Sequence, residues 1–230
     1  MKLALVGYGK MGKMMDALAG QYGFEVVLRL DEFNNANGAA MTRENFAGVD
    51  AAIEFTMPEA AIGNVETLAA LGVNTVVGTT GWFAELDRAR AAVEKAGTGF
   101  VYASNFSVGV NVFERVVGET AKLMAQQDAY EAWAWEIHHS AKKDAPSGTL
   151  LTLVEAMRKA GYTRKIDQAA SRAGAHPGTH EIGFDSAADT ITLRHAARSR
   201  EGFARGALHA ARWVVGKQGF YEFRDVLFGQ

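Results

Sequence analysis

Apolar and polar positions alternate along the first hundred residues in a way that predicts strands separated by helices. Apolar runs of strand length occur at five places, namely 2–6, 26–30, 51–55, 74–77 and 100–103. Between them, apolar residues recur at helical spacing, as at Leu86, Ala89 and Val93. Strands that alternate with helices of about 10–15 residues form a parallel sheet covered by helices. The first half of the chain is therefore predicted to be a parallel α/β structure.

After residue 109 the pattern becomes mixed. Helical periodicity is found at 110–126, 147–159 and 203–215, and strand-length runs are found at 129–137, 180–184 and 190–195. A short polar turn separates the last two runs, which predicts an antiparallel pair of strands. The stretch 162–179 is polar, lacks periodicity and contains Gly174, Pro177 and Gly178, so it is predicted to be a mobile loop.

A glycine-rich turn follows the first strand directly. Gly7, Gly9 and Gly12 have the spacing Gly-x-Gly-x-x-Gly, and a helical pattern and a second strand ending at Asp31 follow. This order, with an acid about 20 residues after the turn, is typical of a dinucleotide-binding site. Gly7 permits the tight turn, Gly9 lets the backbone approach a pyrophosphate, and Gly12 lets helix and strand pack closely. Asp31 can accept hydrogen bonds from the hydroxyls of a ribose, and the open alternative is a solvated carboxylate at a strand end.

Two further turns end strands of the same predicted sheet. Gly78-Thr79-Thr80-Gly81 follows the strand at 74–77, and Ser104-Asn105-Phe106-Ser107 follows the strand at 100–103. Ligands of parallel sheets bind beyond the carboxyl ends of the strands. We therefore expect both turns at the ligand edge, although ordinary turn chemistry also selects such residues.

Two domains are expected from these patterns. Residues 1–107 plus 203–230 are predicted to form an α/β domain of the Rossmann type that binds a dinucleotide. Residues 108–202 are predicted to form a second, sheet-rich α+β domain for substrate binding and oligomerisation. Trp133 and Trp135 share one face of its first strand. An apolar face of that kind would be too exposed in a monomer, so we expect a homo-oligomer.

Composition excludes several other classes of protein. The chain of 230 residues is 48% hydrophobic and 22% charged, which is ordinary for a globular protein. Its net charge of −2 shows no basic excess, so no nucleic-acid partner is expected. With no cysteine, disulfides and thiolate chemistry are excluded. The chain opens on a core strand and has no run of about 20 apolar residues, so we expect no membrane partner and a cytoplasmic location.

The densest chemistry lies in the fourteen residues 136–149. His138 and His139 are adjacent, and Lys142 and a Pro-Ser-Gly-Thr turn follow. Imidazole exchanges protons near neutral pH, and an ammonium group donates a proton or holds a carboxylate. The turn predicts a helix N-terminus, where free backbone N–H groups bind anions. The segment therefore predicts a site that binds an acidic small molecule and protonates it.

No metal is expected from the other histidines. His176, His195 and His209 have no partners at the sequence spacing of metal ligands.

The segment Glu-Ile-His-His-x-x-Lys-x-Asp-Ala-Pro-Ser-Gly-Thr at 136–149 resembles the signature of the 4-hydroxy-tetrahydrodipicolinate reductase family, also called dihydrodipicolinate reductase. The resemblance spans nearly the whole chain. It includes Gly-Tyr-Gly-Lys-Met-Gly at 7–12, Gly-Thr-Thr-Gly at 78–81, Asn-Phe-Ser-Val-Gly-Val at 105–110, and Arg-Ala-Gly at 172–174 with His180. It implies hydride transfer from NADH or NADPH to C4 of a cyclic, doubly carboxylated imine, with loss of water, in the synthesis of diaminopimelate and lysine.

The resemblance also implies roles for single residues. His138 matches the general acid and base, and Lys142 matches a second proton donor. The positions that match contacts to the substrate carboxylates are His139, Ser147, Gly148 and Thr149. The positions that match cofactor contacts are Gly7, Tyr8, Gly9, Lys10, Met11, Gly12, Asp31, Gly78, Thr79, Thr80, Ala103, Ser104, Asn105 and Phe106. The family is commonly tetrameric, which implies a homotetramer.

Cofactor preference and two departures from the family pattern complete these expectations. Asp31 and Glu32 repel a 2′-phosphate, which favours NADH, although Lys10, Lys13 and Arg29 offset part of that repulsion. Ser140-Ala141 stand where the family often has a basic residue, and the stretch 31–50 is short.

Two alternative functions stay open on the sequence. One is another NAD-dependent enzyme with this fold, such as an amino-acid dehydrogenase. The other is a dinucleotide-binding sensor without catalysis.

Overall fold

The protein is described by a computed structural model of residues 1–229. The chain divides into two compact units. Residues 1–107 and the segment from 201 onward form the first unit, and Val108–Arg200 form the second.

The first unit is built on a parallel sheet. Its strands are β1 (Lys2–Val6), β2 (Glu25–Leu30), β3 (Ala51–Glu54), β4 (Asn74–Val77), β5 (Gly99–Tyr102) and β10 (Gly219–Glu222). Its helices are α1 (Lys10–Ala19), α2 (Pro58–Ala70), α3 (Leu86–Ala96), α6 (Glu201–Val214) and α7 (Phe223–Phe228). The strands lie in the order β10-β5-β4-β3-β1-β2, and every neighbouring pair is parallel.

Both faces of this sheet are buried, which explains the continuous apolar runs of its strands. On one face, Leu5 of β1 packs with Met15 of α1 and Leu208 of α6. On the other face, Val77 of β4 packs against Val65 of α2 and neighbouring residues of α3. The predicted α/β fold class is therefore confirmed.

The second unit contains a mixed sheet with helices on one face. Its elements are α4 (Val108–Met124), β6 (Glu131–His138), α5 (Gly148–Lys159), β7 (Ile166–Arg172), β8 (Thr179–Asp185) and β9 (Thr190–Ala196). The strand order is β7-β6-β8-β9, in which β6 and β7 are parallel and the other pairs are antiparallel. Leu150 and Leu153 of α5 and Val117 of α4 bury the helix-covered face.

The prediction of a mobile loop at 162–179 is wrong for much of that stretch. Residues 166–172 form β7, which pairs along its whole length with β6. Only Ile166 of β7 is buried, and polar residues and alanines make up the rest of the strand, so it carries no alternation of apolar residues that a sequence pattern could detect. As an edge strand it is ordered by main-chain hydrogen bonds to its neighbour, which any side chain permits.

The side chains of β6 alternate between the two faces of the second sheet. Ala132, Ala134, Glu136 and His138 are buried, whereas Glu131, Trp133, Trp135 and Ile137 belong to the opposite face. Successive side chains of a strand point to opposite faces, so Glu136 and His138 lie on the same, helix-covered face. Among the described residues, no helix combines the length and the apolarity needed to cross a bilayer.

Candidate active site

Strand register brings four polar residues together at the end of β6. His138 is the last residue of β6, and Arg172 of β7 lies beside it in the parallel ladder. His180 of β8 lies opposite Glu136 in the antiparallel ladder. Ser147 lies directly before α5, and its backbone N–H donates to Glu136 at 2.8 Å. Four separate segments of the second unit thus meet at one buried carboxylate.

Glu136 is the centre of this group and is fully buried. Its Oε1 accepts hydrogen bonds from Arg172 Nη2 and from the Ser147 N–H, both at 2.8 Å. Its Oε2 accepts a hydrogen bond from the Ser147 hydroxyl. The same Oε2 lies 3.4 Å from Nε2 of His138 and 3.4 Å from Nε2 of His180.

The charges of the group follow from burial and from these contacts. Burial raises the pKa of Glu136, but hydrogen bonds from Ser147 and Arg172 outweigh that effect and leave its pKa below the usual value. Burial lowers the pKa of His138, and the positive charges of Lys142 and Arg172 lower it further, against the attraction of Glu136. Burial and the neighbouring His138 lower the pKa of His180 to about 4. At neutral pH the group therefore consists of a carboxylate and two largely neutral imidazoles.

The residues after His138 form a polar turn in which Lys142 is paired with a carboxylate. Lys142 Nζ donates to both carboxylate oxygens of Asp144, at 2.7 and 2.9 Å, and its side chain is 23% exposed. Lys143 is exposed, and His139 is partly exposed. Lys142 is close enough to His138 to lower the pKa of that imidazole. Lys142 is thus a charged group beside the imidazole.

The N-terminus of α5 lies next to Glu136 through Ser147. The Ser147 side chain caps the helix by accepting from the Leu150 N–H at 3.2 Å. Ser147 itself is only 2% exposed, and its N–H and hydroxyl are both bound by Glu136. Gly148 is exposed and Thr149 is partly exposed, so these two residues are the accessible part of this helix end.

A loop after β7 covers the ring of His138. The Ala173 N–H donates to the His138 carbonyl at 2.9 Å, and the Ser140 N–H donates to the Gly174 carbonyl at 3.1 Å. Gly178 has a φ of +143°, and a Cβ added to it would lie 2.8 Å from Cε1 of His138. Glycine is required here both by the backbone and by the imidazole.

Sequence reasoning missed the functional position of Glu136, Arg172, His180 and Gly178. For Glu136 a signal existed, because it stands two residues before His138 on a strand and must share its face. Arg172 and His180 belong to the family resemblance, but nothing local in the sequence indicates that they contact the same carboxylate.

Close contacts fix two of the three glycines in the turn after β1 of the first unit. A Cβ on Gly7, whose φ is +101°, would lie 2.0 Å from the Phe55 carbonyl oxygen, and one on Gly12 would lie 2.5 Å from the Gly7 carbonyl oxygen. Gly9 has no neighbour within 4 Å of such an atom and is the N-cap of α1, without a capping side chain. Gly7 and Gly12 are therefore fixed by packing, whereas Gly9 leaves open space at a helix N-terminus.

The other residues expected to bind a cofactor lie at the same edge, because all strands of the sheet are parallel. A Cβ on Gly78 would fall 1.9 Å from the Phe55 ring. Thr79 is buried, and its Oγ1 accepts from the Thr56 N–H at 2.8 Å, whereas Thr80 is exposed. Asp31 Oδ1 accepts from two backbone N–H groups of the following turn. The remaining members lie in the glycine turn and first helical turn (Tyr8, Lys10, Met11) and after β5 (Ala103, Ser104, Asn105, Phe106).

An ion pair lies between α1 and β2. Arg29 donates to both oxygens of Asp16, at 2.7 and 2.8 Å, and the Tyr8 hydroxyl donates to Asp16 as well. The guanidinium group two residues before Asp31 is thus already bound by a carboxylate.

Comparison with known proteins covers the chain almost from end to end. Residues 1–106 match the family model described as "Dihydrodipicolinate reductase, N-terminus", and residues 109–227 match "Dihydrodipicolinate reductase, C-terminus". The chain is 36% identical over 238 residues to a 4-hydroxy-tetrahydrodipicolinate reductase of Christiangramia forsetii, covering 99% of this chain and 98% of that protein. It is 35% identical over 264 residues to that of Archaeoglobus fulgidus, covering 99% of this chain and 100% of that protein.

Solved structures show the same fold. A dipicolinate-bound dihydrodipicolinate reductase from Paenisporosarcina matches with a TM-score of 0.82 at 20% identity, over 98% of this chain and 99% of that chain. An amine dehydrogenase from Mycobacterium smegmatis matches with a TM-score of 0.62 at 9% identity, over 98% and 95% of the two chains.

Proposed function

The chain belongs to the dihydrodipicolinate reductase family and is therefore an oxidoreductase, and we propose that it reduces 4-hydroxy-tetrahydrodipicolinate in diaminopimelate and lysine biosynthesis. The reaction takes up a hydride and a proton and releases water and tetrahydrodipicolinate. One observation carries the proposal. His138, the Glu136 carboxylate and the accessible N-terminus of α5 meet at the end of β6. They combine a proton carrier with a binding site for carboxylate, as reduction of a dicarboxylated imine requires.

A nicotinamide dinucleotide fits the ligand edge of the first unit. Gly9 leaves space for a pyrophosphate at the N-terminus of α1, where backbone N–H groups and the helix dipole favour phosphate. Asp31 is the residue that would hold the ribose hydroxyls. When bound, the dinucleotide supplies the hydride that is transferred to C4 of the substrate.

We propose that NADH is favoured over NADPH. The carboxylate of Asp31 repels a 2′-phosphate, and the positive charge of Arg29, two residues earlier, is bound by Asp16. A guanidinium group that already has a carboxylate partner has less attraction left for a phosphate.

His138 is proposed as the proton donor. Its pKa is lowered in the protein without substrate, so the site needs negative charge to protonate it. The two substrate carboxylates supply that charge, and Glu136 stabilises the imidazolium once it forms. Lys142, which donates to Asp144, is proposed as the second proton donor and as an attraction for the dianionic substrate.

The substrate carboxylates are proposed to bind His139, Gly148 and Thr149. The last two residues stand at the N-terminus of α5 and are accessible, where backbone N–H groups attract anions. Ser147 was expected among these contacts. Because Glu136 holds both its N–H and its hydroxyl, we propose that Ser147 acts by fixing the Glu136 carboxylate beside the imidazole.

The open face of the second sheet is proposed as the interface of a homotetramer in the cytoplasm. Trp133 and Trp135 lie on this face beside a hollow of about 520 Å³, which Asp167, Ala169 and Glu181 also line. Trp133 lies over Gly183, since a Cβ there would fall 2.1 Å from its ring. Light scattering at micromolar concentration tests the interface. A tetramer that Trp135→Glu dissociates is the expected result, and a monomeric wild-type protein would exclude it.

The reaction is tested by the decrease of NADH absorbance, with substrate made in situ from pyruvate and aspartate semialdehyde by the preceding synthase. His138→Gln and Lys142→Ala are each expected to lower kcat by about 10²–10⁴-fold. Lys143→Ala is the matched control, because it removes an exposed ammonium next to Lys142, and it should leave kcat unchanged.

Two results would contradict the proposal. The wild-type protein could bind the cofactor and yet oxidise neither NADH nor NADPH. That result would reject the proposed substrate and favour the dehydrogenase or the sensor. Full activity of His138→Gln would keep the reaction but remove the imidazole from its proton transfer.

A further inference from the structure

Three lone-pair atoms of the second unit form a nearly equilateral triangle, which we name the His-His-Glu cluster after Glu136, His138 and His180. The two Nε2 atoms are 3.3 Å apart, and each lies 3.4 Å from Glu136 Oε2. Direct hydrogen bonds to nitrogen or oxygen are shorter, at about 2.7–3.2 Å. One imidazole proton can also point at only one of the other atoms. A cation at the centre of the triangle contacts all three.

The geometry points to a binding site for a divalent transition metal of the Zn²⁺ class at the His-His-Glu cluster. In a tetrahedral site with bonds of about 2.0–2.1 Å, neighbouring ligand atoms lie about 3.3–3.4 Å apart. The triangle already has these edges, so the three ligand atoms can accept the ion without rearrangement of β6 or β8. Two imidazoles and one carboxylate with a fourth position left open are also a ligand set that zinc uses in enzymes.

The surroundings of the cluster support this assignment. A metal ligand must be deprotonated, and the Arg172 guanidinium binds Glu136 as a carboxylate. Arg172 and the Ser147 N–H donate to the other oxygen, Oε1, at 2.8 Å each. The Ser147 hydroxyl donates to Oε2 and lies 3.3 Å from His180 Nε2, so the ion binds the second lone pair of Oε2 beside this hydroxyl. These contacts orient the carboxylate so that Oε2 faces the imidazoles, as outer-shell partners of metal ligands do.

Nearby positive charge limits the affinity but does not occupy the ligand atoms. The Arg172 guanidinium binds Oε1 and not Oε2, and the Lys142 ammonium is paired with Asp144. His195 lies opposite His180 on β9 and is a third imidazole near the cluster.

Metal binding at this position inhibits the enzyme, a consequence that rests on the proposed acid role of His138. The ion takes the Nε2 lone pair that would otherwise carry the proton. The sequence predicted no metal because the ligands are not close along the chain. His138 and His180 are 42 positions apart, and only the β6–β8 register joins them.

The test is titration of the chelator-treated, full-length protein with Co²⁺, without cofactor or substrate. Co²⁺ is a spectroscopic substitute for Zn²⁺. One equivalent per chain with the intense visible absorption of a four- or five-coordinate ion is expected. Competition by Zn²⁺ should abolish the absorption. Glu136→Gln and His180→Gln should each weaken binding at least tenfold, the effect of losing even an outer contact. His209→Gln is the matched control, because His209 is an exposed imidazole in the other unit, and it should bind like wild type.

Activity provides the second measurement. Zn²⁺ should inhibit NADH oxidation by the wild-type enzyme over the same concentration range in which it displaces Co²⁺, and EDTA should reverse the inhibition. Metal binding is measured by absorption, so the metal site can be tested even if the protein has no reductase activity. A wild-type spectrum typical of weakly bound, six-coordinate Co²⁺, or equal binding by folded His180→Gln, would overturn the site. The wild-type spectrum decides the question even if the variants fail to fold.

Discussion

Gly178 lets the loop after β7 pack closely against His138. Replacing Gly178 by alanine tests whether this contact positions the imidazole. The new Cβ would lie 2.8 Å from Cε1 and 3.1 Å from Nδ1 of His138, whereas carbon atoms in contact are about 3.5–4.0 Å apart. The ring cannot retreat freely, because its Nε2 already lies 3.3–3.4 Å from His180 and Glu136. Ring and loop must therefore separate by roughly 0.7–1.2 Å.

A shift of this size predicts a large loss of activity. Misplacement of a reacting group by about 1 Å lowers the rate about 10²-fold, which corresponds to about 2.7 kcal/mol of activation free energy. The backbone contributes a separate cost. Gly178 has a φ of +143°, a conformation that is strained for other residues by about 1–3 kcal/mol of folding stability.

Gly174→Ala separates these two effects. Gly174 stands in the same loop and also has a positive φ, +55°, but nothing lies within 4 Å of an added Cβ. Both variants strain the backbone, and only Gly178→Ala reaches His138. Steady-state kinetics should show kcat reduced about 10²-fold in Gly178→Ala and close to wild type in Gly174→Ala. Urea denaturation should show that both fold. Equal kcat values in the two folded variants would refute the positioning role of Gly178.

Three further predictions concern the cofactor edge and the buried imidazole. Gly12→Ala should destabilise the fold by about 1–3 kcal/mol through overpacking. Gly9→Ala should change the unfolding free energy by less than about 1 kcal/mol, yet it should weaken NADH binding as measured by calorimetry. Unchanged NADH affinity in Gly9→Ala would show that the pyrophosphate does not bind at that turn. Asp16→Asn should free Arg29 and raise kcat/KM for NADPH relative to NADH, and an unaltered ratio would show that the ion pair does not set cofactor preference. Because the pKa of His180 is about 4 in the folded protein against the usual 6.5, the unfolded chain takes up its proton first as pH falls. The metal-free protein should then lose up to about 3 kcal/mol of stability between pH 6.5 and 4. Urea denaturation in EDTA should show a smaller loss for His180→Gln, and an identical loss would contradict this origin.

Local sequence patterns predicted five of the six strands of the first unit, all except β10. Continuous apolar runs such as residues 3–6 of β1 can only be buried on both faces, and helical spacing between them implies a parallel sheet. The glycine turn could also be predicted from the sequence, because Gly7 and Gly12 are fixed by close contacts to neighbouring backbone. In the second unit, the start of α5 at Ser147 followed from its capping chemistry. The cofactor and substrate roles of these positions stay predictions until they are measured.

Only the tertiary structure decided what surrounds His138. Alternation along β6 is local and puts Glu136 on the same face as His138, so this part was available from the sequence. The positions of Arg172 and His180 depend on the register of two other strands, 36 and 44 residues away from Glu136 along the chain. Register is set by pairing between distant segments, which no local periodicity reports. β7 shows this most clearly, because its mostly exposed residues carry no strand pattern and its order comes from main-chain bonds to β6.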